Sequence, residues 1–313
     1  DGAQDSGVFQ AGAAMKISCF SFIRDGVKLG YPFEQSIRSA LPVCDEFIIA
    51  VGASDDETWG RLQAMNEPKL KLLPTHWNEQ CRSHGFVYGQ QKMIAQYNCT
   101  GDWAFYLEGD EVLHEQDLDK LKAALELYLD DAEVEALAFD YYHFYGAAHH
   151  LHTASQAYRR ATRIIRNSLR SIAPDGLYWA VMREKSWHGG RNKRRNRYPK
   201  AAALNIPIYH YGNARDERFL KKKAAAGNQY WDSDVFYASY GDIDPQQISA
   251  FQGTHPAVMD AWLQTHASPG FQFNPNHRLT RREKKHRFLA KMEKRFGWDF
   301  SKRHFKVIRE YEG

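Results

Sequence analysis

Between residues 15 and 107, short runs rich in β-branched and aromatic side chains alternate with segments of helical period, and this alternation limits the fold more than any other feature of the chain. Strands are expected over residues 16–22, 46–51, 69–73 and 103–107. A crossover helix opens at Pro32, whose missing N–H costs nothing in the first turn, and sets Phe33, Ile37, Ala40 and Leu41 on one face. A second helix follows Gly85 to residue 97, and a third carries Leu118, Leu121, Leu125 and Tyr128 at helical spacing. Further strand-like runs at 135–145, 163–166, 177–182 and 207–211 predict a mixed sheet. The expected class is therefore α/β, a Rossmann-like mixed sheet with helices on both faces. After Gly212 the chain becomes charged, with helices expected over 216–230, 255–265 and 280–296. That shift sets a soft boundary near residue 215: an α/β unit over 15–215, then a helical C-terminal extension over 216–313 with a basic amphipathic tail.

Composition removes several alternatives. A chain of 313 residues, 43% hydrophobic and 26% charged, can bury about three quarters of its unfolded surface without disulfides or structural metal. No run approaches the roughly 18 uncharged apolar residues of a membrane-spanning helix. The four cysteines, Cys19, Cys44, Cys81 and Cys99, form no CxxC pair, so a reducing, cytoplasmic setting is expected. Residues 1–14 lack the basic opening and apolar stretch of a secretion signal and read as a remnant ahead of a start at Met15. No internal repeat supports a solenoid. The net charge of +4 hides an asymmetry: residues 278–310 hold thirteen Lys or Arg against four Asp or Glu. An acidic partner would meet this tail.

The stretch GDWAFYLEGDEVLHE over residues 101–115 carries the most chemistry. An apolar strand delivers Glu108, Asp110 and Glu111 to its carboxyl end, where open α/β sheets bind ligands. Alternate positions point to one side, so Glu108 and Asp110 can face a common ligand. Carboxylate oxygens there suit Mg²⁺ or Mn²⁺ holding a diphosphate; an acidic turn is the competing reading. At residues 206–215, IPIYHYGNAR, another strand ends in His210, which can add a nitrogen ligand or serve as a packed core imidazole.

Residues 15–111, with FIRDG after the first strand, CDEFIIAVGASDDET at the second and YLEGDEV in the place of a DxD or DADE signature, resemble the nucleotide-sugar half of GT-A glycosyltransferases, especially the inverting family-2 group. The pattern extends to about Gly212. Glu108 departs from it, standing where the family usually has Asp. The resemblance implies a metal-dependent transferase that moves a sugar from a UDP- or GDP-type donor to a glycan or lipid-linked acceptor with inversion, in cell-surface polysaccharide or lipopolysaccharide synthesis, on the cytoplasmic side. It further implies that Asp110, with His210 of the His-Tyr-Gly segment, holds Mn²⁺ or Mg²⁺, and that Phe22, Arg24, Asp56 and Glu108 contact the donor, with Asp55 beside them. SDDET reads equally as a helix N-cap. In LYWAVMREKSWH, Arg183-Glu184 replaces the family's His-Glu pair, which makes Glu184 the expected general base; a surface salt bridge is its alternative, and Asp175 stands in reserve.

Two basic segments remain. RNKRRNR, residues 191–197, is a solvated loop or a lid whose Arg191 and Arg194 neutralise the leaving diphosphate. The tail sets Phe288, Leu289, Met292 and Phe296 near one helical face among cations. It either lies peripherally on the anionic inner face of a membrane or docks its apolar side on the catalytic unit. Nucleic acid is not expected, for no RNP, KH, zinc-finger or helix-turn-helix pattern occurs. A nucleotidyltransferase of related fold and a non-catalytic protein working through its basic tail are the rival functions.

Overall fold

The structure, a computed structural model, describes residues 14–154, 157–182, 196–231 and 239–313. Its first half alternates as expected: β1 (Ile17–Ile23), α1 (Phe33–Ala40), β2 (Glu46–Gly52), α2 (Thr58–Ala64), β3 (Leu70–Thr75), α3 (Phe86–Gln96) and β4 (Trp103–Tyr106). The four strands pair in parallel in the order β3-β2-β1-β4. Period-two alternation divides their side chains between two cores. Cys19, Phe47, Ile49 and Phe105 meet Phe33 and Ile37 of α1, whereas Phe20, Ile48, Ala50 and Tyr106 lie with Met93 and Ala95 of α3. Helices thus cover both faces of β1, β2 and β4, which is why these three read as near-continuous apolar runs, while β3 at the edge is only partly buried.

Then come β5 (Glu111–Val112), α4 (Leu118–Leu127), β6 (Ala136–Tyr145), β7 (His150–His152), β8 (Arg160–Arg166), β9 (Ser171–Ile172), β10 (Ala180–Val181) and β11 (Lys200–Asn213). The sheet turns mixed at β8, antiparallel to both β4 and β6, while β11 runs parallel to β6. Two expectations need correction. The strand read over 177–182 is only the two-residue β10, paired with β9 in a separate small sheet. The strand read over 207–211 is the end of β11, whose start is a run of alanines of weak strand propensity. A register shift between Ala203 and Pro207, with Asn205 at φ 52°, accommodates a proline that cannot donate to the ladder.

The remaining elements are α5 (Glu217–Asn228), β12 (Ile248–Ala250), α6 (Asp260–Thr265), α7 (Arg281–Phe296) and β13 (Lys306–Glu310). The region is not wholly helical: β12 joins β7, and β13 runs parallel to β11, so the chain's end returns to the main sheet. Among the described residues no helix is long and apolar enough to cross a membrane.

Candidate active site

The carboxyl ends of β1, β4 and β11 border a cavity of about 570 Å³. Its two ends differ in chemistry. At one, Phe22 at the end of β1 stacks near Tyr88 of α3 (ring centroids 6.0 Å apart, planes 25°) and meets Trp77 edge-on at 6.1 Å. Trp77 in turn contacts Tyr88 at 5.4 Å and Tyr230, just past α5, at 5.7 Å. The indole packs so closely on β2 that a Cβ at Gly52 would lie 2.5 Å from its Nε1, so only glycine fits there. The Arg24 guanidinium lies 5.4 Å from the Trp77 ring, bonds Glu79 and reaches the Tyr230 hydroxyl at 3.3 Å. This end is aromatic and edged by the Arg24 guanidinium.

The other end is ionic. Glu108, Asp110 and His210 each place one ligand atom within 4.8 Å of the others. Asp110 is 2% exposed, and its Oδ2 accepts from Arg215 Nη2 at 3.0 Å and Lys223 Nζ at 3.1 Å. Burial pushes this carboxyl up, but Lys223, His210 and Arg215 outweigh it and hold it well below the usual range. Asp110 Oδ1 remains, 3.6 Å from His210 Nε2. Glu108 is partly open to the cavity and accepts from Arg163 Nη2 at 3.0 Å; burial and the adjacent Glu111 push it up to about 7. Glu111 faces inward, taking a two-pronged bond from Arg163 at 2.6 and 2.8 Å and one from the Tyr141 hydroxyl at 2.8 Å. It anchors Arg163 and does not line the cavity.

A hydrogen-bond chain sets the His210 tautomer. His143 Nε2 lies 2.8 Å from the Tyr158 carbonyl oxygen, which can only accept, so this nitrogen carries the proton. Burial and His210 keep His143 well below its ordinary pKa, hence neutral, and its Nδ1 accepts from His210 Nδ1 at 2.9 Å. Nε2 of His210 is left as the nitrogen available to a proton or a cation. Two carboxylate oxygens and one imidazole nitrogen fit Mn²⁺ or Mg²⁺, with the nitrogen favouring Mn²⁺.

Phe22, Arg24, Glu108, Asp110 and His210 therefore all line one cavity. Asp56 does not line it; its carboxylate accepts from the Lys28 amide at 2.7 Å and the Thr58 amide at 2.9 Å, and Asp55 pairs with Lys28 Nζ. Glu184, Arg191 and Arg194 lie outside the described residues. Asp175 borders the cavity, with Oδ1 accepting from the Leu177 amide at 2.7 Å. Sequence reasoning missed the buried Arg163 and Arg215 and the part-buried Lys223, the three cations that balance the acids. A single arginine inside the apolar run RATRIIR was the available signal for Arg163. Lys92 was missed too: it is buried 3.7 Å from the Trp179 ring and 4.2 Å from the Tyr106 ring, with its pKa driven well down by burial and by Arg163.

No family model matches the chain, and no curated protein matches it. Among solved structures it is similar to TarS of S. aureus, at 15% identity over 49% of this chain and 29% of that one, with a TM-score of 0.33. Glucosyl-3-phosphoglycerate synthase from Mycobacterium tuberculosis, in complex with Mn²⁺, UDP and glucosyl-3-phosphoglycerate, is 17% identical over 42% and 44% of the two chains, TM-score 0.30. The mannosyltransferase PcManGT from Pyrobaculum calidifontis, in complex with GDP-Man and Mn²⁺, is 19% identical over 41% and 36%, TM-score 0.31. The chain spans less than half the length of each.

Proposed function

We propose that this protein is a glycosyltransferase that moves a sugar from a nucleoside-diphosphate sugar of UDP or GDP type to the hydroxyl of a glycan or lipid-linked acceptor. One observation carries the reading: a single cavity joins an aromatic end to an end where Glu108, Asp110 and His210 stand beside the buried Arg163 and Arg215. A nucleoside diphosphate has the same two-part character. The base lies against the aromatic wall of Phe22, Trp77 and Tyr230, with Arg24 at its edge, and the diphosphate lies toward Lys223.

Asp110, His210 and Glu108 would hold Mn²⁺ or Mg²⁺. Bound there, the cation supplies Lewis-acid stabilisation of the departing diphosphate. Lys223, on the cavity wall, adds a positive charge where the leaving group gathers negative charge. Arg163 and Arg215 fix the two carboxylates in place before substrate arrives. Inversion requires a carboxylate that takes the acceptor's proton while the hydroxyl attacks the anomeric carbon from the face opposite the leaving group. Glu184 is the proposed base; Asp175 is the reserve. Asp56 acts on the donor only through the loop it braces, and Arg191 and Arg194 remain proposed contacts of the diphosphate. Cell-surface polysaccharide or lipopolysaccharide assembly on the cytoplasmic side is the proposed setting.

A thermal-shift panel of UDP, GDP, CDP and TDP, each with and without Mn²⁺, tests the reading. A nucleotide at a hundred times its Kd should stabilise by about 2.7 kcal/mol. One nucleotide should do so with Mn²⁺ and lose the effect in Asp110→Ala; no shift with any of the four rejects the donor site. Glu184→Gln should abolish transfer while sparing that shift, and NMR of the product should give the inverted anomer.

A further inference from the structure

Helix α7 sits on the protein the opposite way round from an ordinary amphipathic helix. Its buried residues are Glu283 and His286, not its aromatic ones. Glu283 closes a capping box with Thr280 and accepts from the Asp244 amide at 2.8 Å. Arg287 forks onto Asp244 at 2.7 Å, and Glu293 takes Arg159 at 2.7 Å. The acids of the helix are thus spent inward on polar anchoring.

What faces water is apolar and cationic together. Phe288 is 61% exposed, Phe296 48%, Trp298 53% and Phe300 38%. Gly297, at φ 68°, turns the chain so that Trp298 stacks on Phe296 with centroids 4.8 Å apart. At about 100° per residue, Arg281, Lys284, Lys285, Lys291 and Arg295 all fall within about 60° of Phe288 on the helix. All five are exposed, and none has a carboxylate partner among the described residues. No acid shares that face.

We propose that the face of α7 centred on Phe288, together with the Phe296–Phe300 turn, is a docking surface for an anionic lipid bilayer. Exposed rings enter the boundary between headgroups and acyl chains, while the surrounding lysines and arginines meet lipid phosphates. A second copy of the chain is opposed by the same five positive charges. A nucleic acid would need rings open for stacking, yet Phe296 and Trp298 already cover one another. The surface needs no assumption about the transferase reading.

Flotation of the full chain with vesicles tests it. Vesicles of phosphatidylcholine with about 30 mol% phosphatidylglycerol should retain at least about tenfold more protein than phosphatidylcholine alone, and about 0.5 M NaCl should release most of it. Phe288→Ser with Trp298→Ser should lose binding at low salt, and so should Lys284→Glu with Lys285→Glu and Lys291→Glu. Both variants must keep the wild-type melting temperature, since these side chains make no buried contact. Brominated acyl chains should quench fluorescence in the wild type and less in Trp298→Phe. Equal retention on neutral vesicles, no retention on either, or preference for duplex DNA over anionic vesicles at the same salt overturns the proposal. Retention that survives the aromatic substitutions also overturns it.

Discussion

Glu108 is the carboxylate that the surroundings leave least settled. Its folded pKa is raised to about 7, by burial first and then by Glu111, with Arg163 opposing. A raised carboxyl favours the folded state while protonated: that stability is fully present below about pH 4.5 and is lost as the pH rises through about 7. Glu108→Gln in metal-free protein should therefore match the wild type at about pH 4 and exceed it by about 3 kcal/mol at about pH 8, measured by urea melts. An equal difference at both pH values would show that the charge is not the cause. The acids were legible because three carboxylates after an apolar strand are conspicuous. Their cations were not: Arg215 and Lys223 come from 105 and 113 residues away along the chain, and no local pattern announces where they arrive. Asp56 shows the reverse, a carboxylate whose family-like position conceals two backbone bonds that claim it.

Among the elements, β1, β2 and β4 were readable because burial on both faces leaves near-continuous apolar runs, whereas β11 hides behind alanines and a bulge, and β13 behind charge. One side chain staples the readable strands together. Glu46 opens β2, accepts from Ser18 of β1 at 2.6 Å and from the Thr100 amide and hydroxyl at 2.8 and 2.7 Å, and pairs with Lys71 of β3 at 2.6 Å. Burial alone would raise its pKa, but Lys71, Ser18 and Thr100 bring it to about 2. A depressed carboxyl stabilises above the unfolded value, near pH 4.5, and the gain disappears as the pH falls through about 2. Glu46→Gln should cost about 3 kcal/mol at neutral pH, a cost that shrinks as the pH falls and vanishes only below about pH 2, checked by chemical denaturation across that range. Helix α7 shows what periodicity leaves open: its apolar stripe allows either docking on the protein or contact with a membrane, and two polar residues, Glu283 and His286, are the ones buried.

For the molecule as a whole, charge balance governs when a cation can bind. Glu108, Asp110 and Glu111 face Arg163, Arg215 and Lys223, so the site is close to neutral before any ligand enters. A bare divalent ion would add uncompensated charge, and a nucleoside diphosphate supplies the matching anion. Mn²⁺ alone should therefore move Tm little, and Mn²⁺ with the preferred nucleotide should move it more than the two separate shifts combined; additive shifts would reject this coupling. The α/β class and a cavity at the carboxyl ends of the strands were visible from sequence because both follow from strand order, which local patterns encode. How the last hundred residues close back on the sheet was not, since that depends on pairings such as β13 with β11 across more than a hundred residues. This return has a mechanical meaning. The segment that bears the exposed rings is gripped before them by Arg287 on Asp244 and after them by a strand of the central sheet. A tether fastened at one end is a leash and lets its load tumble; fastened at both it is a foot, and a foot determines which way the body above it stands. With Arg282 of the same helix on the cavity wall, the opening would keep a constant angle and height above whatever surface the foot rests on.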